Sequence, residues 1–151
     1  MDQFMKRAID LALNNVEEGG NPFGAVLVKN DEIVAEGVNE LHHTYDVSGH
    51  AELIAIRKAQ AELKTLDLGD YTLYASGEPC PMCMAAIYMS GIKKVYYCGS
   101  IERAKEVGLG ASEIIYKELA LPRGERSIEI IHMPLEEDAK DPMVEWSSKD
   151  K

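Results

Sequence analysis

Basic residues are scarce in this chain of 151 residues: 16 Lys and Arg stand against 26 Asp and Glu, a formal net charge of −10. A surface of that sign repels phosphate backbones and argues against a nucleic-acid partner. Long apolar runs are missing too. No stretch approaches the roughly 20 apolar residues a bilayer span needs, so no membrane segment is expected. The opening Met1-Asp2-Gln3 lacks a basic region followed by an apolar one, so no secretory leader is expected. Cysteine is limited to Cys80, Cys83 and Cys98. An odd count without a leader does not make a disulfide framework and fits a reducing, cytoplasmic setting. No repeat or low-complexity linker divides the chain. What remains is an ordinary globular composition, 46% apolar and 28% charged. It reads as one domain over residues 1–151 with an acidic tail from about residue 134.

Periodicity places the elements. Phe4, Ala8, Ala12 and Val16 fall at helical spacing, with Met5, Ile9 and Leu13 beside them, before Gly19-Gly20-Asn21-Pro22 stops the helix. Phe23–Val28 and Ile33–Gly37 flank a turn at 29–32 and form a hairpin. His50–Leu63 is helical, Thr72–Ser76 a strand, Cys80–Ser90 a helix and Lys94–Cys98 a strand. Ser112–Leu119 reads as a helix and Ile128–Ile131 as a last strand. Strands alternating with helices require crossovers and some parallel pairing. The expected fold is α/β, a three-layer α/β/α sandwich around a mixed five-stranded sheet. Cys98, at a strand end, reads as a core residue.

The chemistry-bearing residues lie at two of these helix starts. A C-x-x-C pair alone suits either a redox dithiol or a metal site. A redox pair has no use for His50 and Glu52 on another helix, whereas zinc does. One imidazole and two thiolates supply three ligands and leave the fourth tetrahedral place open for water, the catalytic pattern. His50, Cys80 and Cys83 are therefore the expected ligands, with one Zn2+ per chain. Glu52, two residues from His50, is placed to move protons rather than to bind metal. Helix N-termini favour the thiolate form and negative charge, and Pro79 stiffens the approach to Cys80. The pattern H-x-E followed by P-C-x-x-C is a known signature of zinc deaminases.

Across Asn21-Pro22-Phe23-Gly24-Ala25-Val26, Asn39, His50-Ala51-Glu52, Glu78-Pro79-Cys80-Pro81-Met82-Cys83 and Ala85-Ala86-Ile87-Tyr88, the chain resembles the cytidine/deoxycytidylate deaminase superfamily. With Ile115-Tyr116-Lys117-Glu118, these motifs most resemble the small bacterial guanine deaminases. Fungal-type cytosine deaminases and tRNA adenosine deaminases share the site. The resemblance implies hydrolytic removal of an amino group from a nucleobase, with Glu52 as proton shuttle. It implies that Asn39 and the Ala51 N–H bind the base and that Phe23 helps wall the pocket. A homodimer is implied as well, in which the C-terminal tail can be exchanged between subunits.

Three departures stand out. Met89 occupies a position that is usually Trp. A Phe-Asp-Asp-Ser stretch, whose carboxylate acts as a second proton shuttle, corresponds here to Leu109-Gly110-Ala111-Ser112-Glu113, which offers Glu113. The aromatic that closes the pocket from the C-terminal end can only be Trp146. The expected reaction is guanine to xanthine and ammonia. The alternatives are a cytosine, cytidine or triazine deaminase, a tRNA adenosine deaminase, or a catalytically silent zinc-binding interaction module.

Overall fold

Helix α1 (Gln3–Glu17) opens at Asp2, whose carboxylate accepts hydrogen bonds from the amides of Phe4 and Met5 at 2.8 and 3.0 Å. Such a cap satisfies two of the donors that a helix start leaves unpaired. The computed structural model describes residues 1–149. Its elements continue with β1 (Gly24–Lys29), β2 (Glu32–Val38), α2 (Leu41–Thr44), α3 (Ala51–Leu63), β3 (Thr72–Gly77), α4 (Pro81–Met89), β4 (Lys94–Gly99), α5 (Ile101–Glu106), α6 (Ala111–Ala120) and α7 (Pro142–Ser147). The chain packs as two units, Met1–Lys117 and a shorter one from Glu118 onward.

Within the first unit the sheet runs β2-β1-β3-β4. Strands β1 and β2 form the expected hairpin, turning at Asn30 and Asp31 with φ of 52° and 60°. Asn and Asp tolerate that left-handed backbone, and the resulting turn matches the twist of its strands. β3 joins β1 antiparallel and β4 parallel, so the sheet is mixed and helix α4 makes the crossover. Successive side chains point to opposite faces, which gives the sheet two cores. Val26, Val28 and Tyr74 meet Phe4 and Leu11 of α1 on one face. Ala25, Leu27 and Leu73 meet Ala51, Ala55, Ile56 and Ala59 of α3 and Ile87 of α4 on the other. The result is the expected α/β/α layering. Arg7 of α1 also grips the Glu36 carboxylate of β2 through two nitrogens, at 2.6 and 2.9 Å.

Gly37 of β2 faces the first turn of α3. A Cβ there would collide with the Ala51 carbonyl, so glycine lets this helix start lie directly against the sheet. That contact positions the element that carries His50 and Glu52.

Several expectations need correction. Among the described residues the sheet has four strands, not five. Residues 128–131 form no ladder, and Ile128, Ile130 and Ile131 are exposed. Apolar spacing alone does not make a strand; its N–H and C=O groups need a partner edge. With no fifth strand beside it among the described residues, β4 stays largely open to solvent, and Cys98 is exposed rather than in the core. On α1 the buried stripe runs Phe4, Ala8, Ala12 and Asn15, while Val16 and Leu13 face outward. A polar residue has taken the place expected for an apolar one.

Candidate active site

Two helix starts converge. His50 is the residue at which α3 begins, in extended conformation, and Cys80 holds the same place on α4. Pro81 follows as the first helical residue, where its missing N–H costs nothing. Cys80 Sγ accepts from the Cys83 amide at 3.5 Å. His50 Nδ1 lies 3.5 Å from Cys80 Sγ and 3.6 Å from Cys83 Sγ. The ligand atoms of all three fall within 4.8 Å of one another. Among the described residues this is the one His/Cys/Asp/Glu group so arranged. Proton sharing with Cys83 and the contact with His50 hold the Cys80 thiol down at about 4. The bond to Cys80, together with burial, pushes Cys83 up, and the bond to Cys80 also raises His50. One nitrogen and two sulfurs fit zinc, and among the described residues no fourth His, Cys, Asp or Glu ligand joins the three.

Glu52 lies in the first turn of α3 and is 6% exposed. Burial pushes its carboxyl up to about 7, and the hydrogen bond from its own backbone amide, the nearby His50 and the bond with Cys83 only partly offset this. A carboxyl that changes charge near neutrality suits a group that must both take and return a proton.

Beside His50 opens a cavity of about 190 Å³, lined among others by Phe23, Asn39, Gly77, Glu78 and Ser112. Phe23 and Asn39, read from the sequence as base-pocket residues, are thus brought together with a metal ligand. Asn39 is buried, and its side-chain oxygen accepts from the Leu41 amide at 3.3 Å. Ala51 is the first residue of α3, its side chain fully buried in the core and its amide among those at the helix start without an intrahelical acceptor. Glu113 does not line this cavity. It accepts from Lys105 and Lys117 at 3.1 and 2.9 Å, and these cations hold its carboxyl below the usual range. It borders a larger open groove with Met84, Tyr88 and Tyr116. Met89 is exposed at the end of α4, and Trp146 is exposed on α7 of the second unit.

Sequence reasoning gave no role to Glu78 or Asn15. Glu78 borders the cavity and accepts from the Ile101 amide at 3.1 Å, fixing the start of α5. The signal for Asn15 was a polar residue at helical spacing from Ala8 and Ala12.

Three ligands with an open fourth position, beside a buried carboxylate and a small cavity, define a zinc-dependent hydrolytic site rather than a structural zinc. Residues 1–99 match the model of the cytidine and deoxycytidylate deaminase zinc-binding region, and the chain belongs to that family. It is 44% identical over 146 residues to guanine deaminase of Bacillus subtilis (strain 168), covering 96% of this chain and 92% of that one. The X-ray structure of the Bacillus subtilis guanine deaminase superposes with a TM-score of 0.90 at 41% identity, covering 100% of this chain and 99% of that one. A tRNA-specific adenosine deaminase of Bacillus subtilis (strain 168) is 42% identical over 94 residues, 62% of this chain and 58% of that one. Among the described residues no helix is long and apolar enough to cross a membrane.

Proposed function

We propose that this protein deaminates free guanine, with water as co-substrate and xanthine and ammonia as products. The observation that carries the reading is the buried Glu52 beside a three-ligand zinc site that opens on a cavity holding Asn39 and Phe23. The preference for guanine draws on extent: likeness to a guanine deaminase runs over 96% of the chain, but to a tRNA adenosine deaminase over 62%. The charge of −10 also disfavours an anionic RNA.

His50, Cys80 and Cys83 would hold the zinc. When bound, it supplies the Lewis acidity that makes water a nucleophile at neutral pH. Glu52 accepts the proton of the attacking water and delivers it to the ring nitrogen beside C2. The C2–O bond forms as that ring bond yields its electrons, giving a tetrahedral carbon. Glu52 then takes the proton of the new C2 hydroxyl and passes it to the exocyclic amino nitrogen; the bond from C2 to that nitrogen breaks, ammonia leaves and the C2=O of xanthine forms. Asn39 and the Ala51 N–H orient the base, because a wrong base would leave these groups unpaired. Phe23 covers one side. Glu113, held by two lysines, receives no proton-transfer role in this scheme.

We further propose a cytoplasmic homodimer with exchanged tails, in which Trp146 closes the pocket of the other subunit, on a single deaminase domain per chain. The exposed Ile128, Ile131 and Met133 of the second unit support this reading. The test of substrate is ammonia release from the zinc-loaded protein with guanine, guanosine, adenine, adenosine, cytosine, cytidine and amino-triazines. Guanine should be turned over far faster than the rest. A pyrimidine or triazine in first place would keep the site and refute guanine as its substrate. No release at all would leave a silent zinc module.

A further inference from the structure

Asn15 lies on α1, outside the cavity, and is 3% exposed. Its side-chain nitrogen donates to two main-chain carbonyls, that of Asn21 at 2.8 Å and that of Asn39 at 2.9 Å. These carbonyls belong to the two segments that carry the cavity's base-facing residues. The segments are also tied directly: the Phe23 amide donates to the Asn21 carbonyl at 2.9 Å, and the Asn39 amide to the Phe23 carbonyl at 3.1 Å. Asn39 then directs its own oxygen to the Leu41 amide. A carboxamide nitrogen carries two hydrogens, and here each has an acceptor. Aspartate would offer only oxygens to those carbonyls, and an apolar side chain would take the Asn15 donor from the carbonyl of buried Asn39 and leave that of Asn21 with the Phe23 amide alone. The neighbouring sequence makes room for this residue. A Cβ at Gly20 would lie 2.5 Å from the Asn15 nitrogen.

We infer that Asn15 is a positioning residue for substrate binding: it sets the spacing between Phe23 and Asn39, and thereby the fit of the base. The inference rests on the reading of Phe23 and Asn39 as base-binding residues. Asn15 touches neither substrate nor metal, so its loss weakens the ground state and transition state alike and leaves the chemical step intact.

The test uses zinc-loaded enzyme carrying Asn15→Asp or Gly20→Ala. The first removes the donors, and the second displaces them with the amide still present. For each, the KM for guanine should rise about tenfold with kcat within about twofold, and zinc should stay at one per chain. A purely structural role would lower thermal stability without moving KM. A second readout needs no substrate: the backbone amide resonances of Phe23 and Asn39 should shift in both variants. If they shift while the wild-type protein deaminates no base, the guanine reading falls and the positioning role stands. If the wild type is active and KM is unchanged in a folded variant, or if those resonances stay in place, the inference is overturned. Should Asn15→Asp fail to fold, Gly20→Ala decides alone.

Discussion

Tyr116 donates its hydroxyl to the carbonyl of Pro79 at 2.7 Å, 37 residues away and one residue before Cys80. Burial pushes this phenol up to about 12, so the donor keeps its proton throughout the working range of pH. Groups that hold a metal ligand from outside its coordination sphere commonly contribute 10- to 100-fold to metal affinity. Tyr116→Phe should weaken zinc binding by about tenfold, read by chelator competition. An unchanged affinity would show that the Cys80 segment is rigid without this bond. Residues of this kind explain where sequence reading stops. His50, Cys80 and Cys83 were legible because their spacing and chemistry declare a metal site, and Glu52 because it stands two residues from His50 at the same helix start. Asn15 and Tyr116 act through main-chain carbonyls distant in sequence, and no residue pattern displays a carbonyl's position.

At the scale of elements, the two helix starts depend on how closely their helices approach the sheet. Gly37→Ala inserts a methyl group against the Ala51 carbonyl. Overpacking of that sort costs about 1–3 kcal/mol, so the variant should unfold at lower urea. An unaltered midpoint would show that α3 can move outward freely. The elements that were read correctly announce themselves locally. Asn30-Asp31 between apolar strands marks a hairpin, and Pro79 and Pro81 mark the start of α4. Ile128–Ile131 misled because its apolar pattern fits a strand, yet pairing depends on a free edge that local sequence does not specify. The short helices Leu41–Thr44, Ile101–Glu106 and Pro142–Ser147 were also missed. Each is at most six residues long, too short for a hydrophobic period to stand out.

The whole molecule combines an acidic surface, a small zinc site and a second unit rich in exposed apolar side chains. Ile128, Ile130, Ile131, Met133, Met143 and Val144 are all exposed. Exposed apolar residues in that density mark an interaction surface. Sedimentation equilibrium should give twice the chain mass, and deletion of the segment from Glu118 onward should lower it to that of one chain. A full-length monomer would contradict the exchanged dimer. The proposed chemistry itself is tested at one carboxylate. Glu52→Gln keeps the size and burial of the side chain but cannot carry a proton. The decisive measurement is xanthine formation from guanine by wild type and Glu52→Gln, with zinc content determined on the same samples. The account predicts equal zinc in both and a rate at least about a hundredfold lower in the variant. Xanthine formed at the wild-type rate by a zinc-loaded Glu52→Gln enzyme would contradict it.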